Sequence, residues 1–433
     1  MKKQISVVCP LLFALVGCLG QPPDNGDATG SPTVEFATET VVASESLPET
    51  ESPGTPVAIA CIEPSTIIPT NFRATGGVLL ASDSYSDSFY YDLETQVMVS
   101  LPREEKETLS NFAVSPDRKW VAYELHSSTS PEWLLVVTSS PDERELIIQP
   151  DASWRWVVEW LDNQYLLISN RSVDELALDT LIALNPFTQE RIVLDVNPPD
   201  LWNDVPSPYW ERYKYSETVF NNSLDRVVFP RGIAGDREVV LWDIEKREDV
   251  TALFHSALFG GTPIWSSDGR RFLVNGSLAK HFSESRGQEV DQELFQITKD
   301  GGIDRLTYLT NYYSEVTIGY YRWSPDERMV AFWFTGLPSS YPEPYHDPVD
   351  YMLERLAIVD LATRQVTNYC IPGDVGFSAP PVWSPDGKYV VAEQRELGRG
   401  EILRQVYLID LENRQAYKIA ENLSPVGWML PNQ

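Results

Sequence analysis

VWSPDGKYVVAE, residues 382–393, is one of four near-copies of a single phrase in this chain. The others are FAVSPDRKWVAYE (112–124), IWSSDGRRFLVNG (264–276) and RWSPDERMVAFWF (322–334). Each sets a Ser-Pro-Asp or Ser-Ser-Asp after an apolar residue or Trp, then a short polar patch, then a β-rich run. This is the chemistry of a tight hairpin. Proline fixes φ near −65° at the second turn position, Asp satisfies turn N–H groups, and the next residue takes a left-handed conformation. Gly269 and Gly387 suit that last place, while Arg118 and Glu327 hold it at a backbone cost of about 1 kcal/mol.

Two looser copies keep the same rhythm, EWLDNQYLLIS (159–169) and FNNSLDRVVFP (220–230), giving six turns marked by Asp117, Asp162, Asp225, Asp268, Asp326 and Asp386. Between them recurs a second unit, an apolar run, a turn and another run. It appears at 89–101, 134–148, 181–194, 239–253, 294–309, 356–369 and 406–419. Seven units of this kind against six of the first imply that the first blade lacks its opening strand. VGWML (426–430) would supply it beside TGGVLLAS (75–82), closing a ring without an open edge. The expected fold is all-β, a seven-bladed β-propeller of four-stranded antiparallel blades closed by its two ends, with six or eight blades as alternatives. Helix-period patterning is weak throughout.

The W-S-P-D-G phrase followed by three apolar residues is similar to the repeat of the TolB-like, WD40-like family of bacterial β-propellers, over residues 66 to 430. The resemblance implies the fold, with Trp265, Trp323 and Trp383 packed between blades. The family's periplasmic TolB proteins carry a separate N-terminal domain, where this chain has a polar tether.

Ahead of the repeats, Lys2 and Lys3 precede ISVVCPLLFALVG, an apolar run of signal-peptide length and too short to span a bilayer. It ends in Leu15-Val16-Gly17-Cys18, which resembles the lipobox of bacterial lipoproteins. The resemblance implies cleavage before Cys18, lipid on its thiol and attachment to a membrane surface. Residues 19–57, rich in Ser, Thr, Pro and Glu, cannot bury enough apolar surface to offset chain entropy and read as a tether. The expected organisation is therefore a signal peptide over 1–17, a lipidated Cys18 with its tether over 18–57, and a propeller over 58–433.

The net charge of −29 excludes a phosphate-backbone or anionic-lipid ligand, because either needs clustered Lys and Arg. Contact with a membrane is expected through the N-terminal lipid alone. Once Cys9 and Cys18 are assigned to the leader and the anchor, Cys61 and Cys370 remain, for a disulfide of an exported protein or for two separate thiols.

Function is expected where the chain does not repeat. In a four-stranded blade the a–b and c–d turns share one face, and here they are short. The long insertions, 195–215, 277–293, 335–355 and 394–405, all belong to the opposite face, where binding loops gather on a rigid ring. They carry the candidate ligand-binding aromatics Trp202, Tyr209, Trp210, Tyr213, Tyr341 and Tyr345, able to stack on sugars or anchor a partner or, more plainly, to plug the ring. His126, His255, His281 and His346 fall on the same face, and His281, His346 and Asp347 are the candidates should a metal bind, as in seven-bladed oligogalacturonate lyases. No local spacing marks a metal motif, and no cofactor is expected. There is neither a G-x-S-x-G elbow nor a phosphate loop. The composite expectation is a lipid-anchored, extracytoplasmic, monomeric module that binds an envelope protein or glycan. The alternatives are an enzyme acting on extracellular polysaccharide and a structural scaffold.

Overall fold

The computed structural model describes residues 57–65, 68–69, 72, 74–82, 87–129, 133–149, 154–170, 180–194, 219–231, 237–255, 262–277, 282–283, 288–289, 291–338, 354–373, 379–397 and 402–431. These form seven antiparallel blades, each running from an innermost strand a to an outer strand d in chain order. Blade 1 takes Ser424–Met429 as its innermost strand, paired with Gly77–Ala81, so the C-terminus supplies the piece missing from the N-terminal blade. The other innermost strands are Glu107–Val114, Trp154–Trp160, Val219–Phe220, Ile264–Trp265, Tyr313–Trp323 and Val382–Trp383, opening blades 2 to 7.

The hairpin chemistry read from the sequence is present in each close copy. In blade 7 the Asp386 Oδ1 accepts the Lys388 N–H at 3.1 Å, and Gly387 lies at φ 71°. Arg118 and Glu327 occupy the same left-handed place at φ 63° and 54°. The serine does more than its place in the phrase suggests. Ser384 Oγ donates to Asp386 Oδ1 at 2.7 Å and accepts the Tyr389 N–H at 2.9 Å, so one hydroxyl ties both limbs of the turn. Ser115, Ser266 and Ser324 repeat both bonds. The looser copy at 220–230 substitutes an amide, with Asn221 Oδ1 accepting the Asp225 and Arg226 N–H groups.

Both faces of each central strand are covered, which explains the unbroken apolar runs. Val390 and Ala392 turn toward blade 6 and Val391 toward blade 1, following the two-residue period of a strand. The result is seven apolar clusters, one at each junction between neighbouring blades, including the 7–1 junction that closes the ring. Tryptophan indoles bridge four junctions. Trp160, Trp265, Trp323 and Trp383 donate Nε1–H to the carbonyls of Ala113, Val219, Ile264 and Arg322 in the preceding blade, at 2.9 to 3.2 Å.

Blades 6 and 7 each carry a fifth strand. Ala58–Ile59 runs parallel to the outer strand Val366–Gly373, and Glu63–Ser65 runs parallel to Gln415–Glu421. This strap feeds one junction after another: Val57 enters the 5–6 cluster, Ile62 packs on the 6–7 cluster, and Ile68, Phe72 and Ala74 reach the 7–1 cluster. A disulfide joins Cys61 in the strap to Cys370 in blade 6, with Cα atoms 4.6 Å apart.

Candidate functional site

Connectivity places the strand ends at 194/219, 277/292, 338/354 and 397/402 on the face opposite the short turns. Within the 277–293 insertion, Phe282–Ser283 pairs with Gln288–Glu289 as a small extra hairpin. The 394–405 stretch is no loop for most of its length. Gln394–Leu397 continues strand b and pairs with Ile402–Gln405 of strand c, so the connection shrinks to the residues between 397 and 402. The aromatics Trp202, Tyr209, Trp210, Tyr213, Tyr341 and Tyr345, the metal candidates His281, His346 and Asp347, and the lipidation candidate Cys18 lie outside the described residues. His126 is described: its Nε2 lies 3.1 Å from Glu124 Oε2, and its ring stacks on Trp133. Among the described residues no group of three or more His, Cys, Asp or Glu is placed to hold a metal ion.

Several buried carboxylates serve the scaffold. Glu293 accepts from Thr307, the Leu309 and Thr310 N–H groups, and Arg305, which fixes the crossing from blade 5 to blade 6. Asn275 and Gln292 perform a related task in blade 5, bonding the Ile318 carbonyl and N–H of the next blade's innermost strand.

The bore differs. The innermost strands of blades 1, 2, 3 and 6 share an irregularity, where the register slips between Pro425 and Gly427, Ser110 and Ala113, Val157 and Glu159, and Ile318 and Tyr321. Bulges of this kind re-aim side chains. Just below, beside the junction tryptophans, Glu159 precedes Trp160 in blade 3 and Arg322 precedes Trp323 in blade 6. Blades 4 and 5 separate the two strands on one side of the ring and blades 7, 1 and 2 on the other. The electrostatic coupling between Glu159 and Arg322 therefore runs across the bore.

Enclosure by the ring sets the chemistry of this pair. Burial pushes the Glu159 carboxyl up to about 7, against the pull of the Arg322 charge. The Arg322 guanidinium is drawn below its ordinary value by the same burial, opposed by Glu159. Tyr320, inside the blade 6 irregularity, has its phenol pushed up by burial, amid the charges of Arg395, Glu354, Arg322 and Glu393. Glu393 is fully buried, its Oε1 2.6 Å from Arg395 Nε. Such a set can hold a polar or charged ligand, and a carboxyl titrating near neutrality can exchange a proton with it.

None of these bore residues is among the sequence candidates, although a signal existed. The position before the tryptophan or its counterpart is apolar in four of the six copies, Ala113, Val219, Ile264 and Val382, and becomes charged at Glu159 and Arg322. That break in the repeat marks the two residues facing one another.

No protein-family model and no curated protein matches the sequence. Among solved structures, TolB from Acinetobacter baumannii is similar over 84% of this chain and 68% of its own, at 14% identity and a TM-score of 0.40. The periplasmic gluconolactonase of Pseudomonas aeruginosa aligns over 83% of this chain and 99% of its own, at 13% identity and a TM-score of 0.47. A prolyl endopeptidase aligns at 10% identity and a TM-score of 0.50, over 84% of this chain and half of its own length. The likeness is one of fold: a seven-bladed propeller of the kind the repeat phrase indicates.

Proposed function

We propose that the protein is an extracytoplasmic binding module, held to a membrane by lipid on Cys18, that takes an envelope protein or a glycan on the face carrying the long connections. One observation carries the reading. The a–b turns are short and occupied by their own hydrogen bonds, whereas the long, non-repeating stretches lie between the opposite strand ends. The Cys61–Cys370 disulfide supports an oxidising compartment, because reducing cytosol disfavours such a bond. The acidic charge favours a neutral or basic partner over nucleic acid.

The test is affinity capture with the purified protein on envelope extract and on a glycan panel, alongside Trp210→Ala. Capture of a defined protein or glycan, lost in the variant, supports the reading. Undiminished capture by the variant removes the aromatic connection as the site.

A second reading, an enzyme acting on polysaccharide, draws on Glu159 alone, since a carboxyl near 7 suits general acid–base work. Release of reducing ends from a polysaccharide panel, abolished by Glu159→Gln, would favour it over the binding module.

A further inference from the structure

Arg322 is the least expected residue in the ring. It sits on an innermost strand of a strongly acidic protein, yet it forms no ion pair among the described residues. Its side chain makes one protein hydrogen bond, from Nη1 to the Tyr321 carbonyl at 3.0 Å. A guanidinium has five N–H donors in a planar fork, so most of its capacity is unspent. The side chain is only partly exposed, and none of its nitrogens is among the sealed and unpartnered polar atoms, so its unspent donors remain accessible. Glu159, the carboxyl across from it, has no hydrogen-bond partner among the described residues either.

Two opposed groups with bonding capacity unspent and no ion pair between them can hold one ligand jointly. We propose that the bore between Glu159 and Arg322 binds a small hydroxyl-bearing monocarboxylate, its two carboxylate oxygens lying on the Arg322 fork and its hydroxyl meeting the Glu159 carboxyl. The fork matches a carboxylate in a two-bond arrangement, and enclosure strengthens both bonds. Charge balance favours a single negative charge. Glu159, whose carboxyl burial brings to about 7, can donate its O–H when protonated, whereas a dianion would overcompensate one guanidinium and press on Glu159. The site is separate from the partner surface proposed above, because it lies in the innermost strands and uses no residue of the long connections.

The experiment is calorimetric titration of the purified protein with D-glucuronate and with L-lactate, a sugar acid and a hydroxy acid, using D-glucose and inorganic phosphate as comparators. Saturable binding of at least one carboxylate is expected, with none for glucose and weaker binding for phosphate. Arg322→Met should weaken the carboxylate by about tenfold or more, with Arg322→Lys intermediate because it keeps charge without the fork. Glu159→Gln, which still donates, should stay within about threefold. Trp210→Ala should leave the titration unchanged even if it abolishes partner capture. Circular-dichroism melting checks each variant, and if Arg322→Met does not fold, Arg322→Lys is read in its place. Failure of both carboxylates to bind at about 10 mM, equal binding by phosphate, or unaltered binding by the folded Arg322 variant would each overturn the proposal.

Discussion

Ser384 and Asp386 show how much one hydroxyl and one carboxylate can do at a turn. Ser384 Oγ accepts from the far limb and donates to Asp386, whose Oδ1 also accepts the Lys388 N–H. Because three of the four groups belong to the turn itself, Asp386→Ala should cost about 1–2 kcal/mol, read as a lower urea midpoint, and leave ligand capture at matched folded concentration unchanged. A loss of capture without a loss of stability would contradict a purely structural role. Glu159 behaves in the opposite way. Its folded carboxyl sits at about 7, above the ordinary glutamate value of 4.5, so its contribution to stability is present below 4.5 and lost as pH rises from there through 7. Glu159→Gln cannot ionise and should therefore gain on the natural protein as pH rises from about 5 to 8 in chemical denaturation. Carboxyl-carbon NMR of the natural protein should show a glutamate titrating near neutrality that the variant lacks.

At the scale of the element, the innermost strand of blade 1 makes a close approach to its neighbour. A Cβ on Gly427 would stand 2.4 Å from Val114 Cγ2 in blade 2, and valine's branched side chain has no flexible end to move aside. Gly427→Ala should thus destabilise the protein by about 1–3 kcal/mol as overpacking, with the seam between blades 1 and 2 opening first in amide exchange. Uniform loss of protection would show that the strain spreads instead. The blades themselves were legible in the sequence because a hairpin needs Ser, Asp and a left-handed residue at fixed spacing, and that need recurs with every blade. The strap was not legible, since an edge strand such as Glu63–Ser65, added in parallel through backbone bonds, imposes no residue pattern. The 394–405 stretch misled for a related reason: Gly398, Arg399 and Gly400 and the surrounding charges read as a loop, although backbone pairing carries the strands to Leu397 and Ile402. Glu159 and Arg322 were written in the repeat, but only register and ring order show that they face one another.

The whole ring is closed twice, and the two closures differ in kind. Inside, Ser424–Met429 pairs with Gly77–Ala81, and Trp428 Nε1 donates to the Thr75 carbonyl at 3.0 Å. Outside, the strap runs past blades 6 and 7 with apolar residues in the 5–6, 6–7 and 7–1 junctions, pinned at Cys61–Cys370. The bond joins residues 309 positions apart, so it restrains a very long loop in the unfolded chain. Reduction should cost about 2–5 kcal/mol, seen as a lower melting temperature in dithiothreitol, and Cys370→Ser should reproduce that loss without further response to reductant. The inner closure contains no cysteine, so the reduced ring should keep its β-sheet circular dichroism at 25 °C while the strap becomes open to proteolysis before Gly77. Collapse of the sheet signal on reduction would make the disulfide the fastening of the ring itself; early cleavage confined to the strap would make it an outer clasp on a ring that the terminal strands already hold shut.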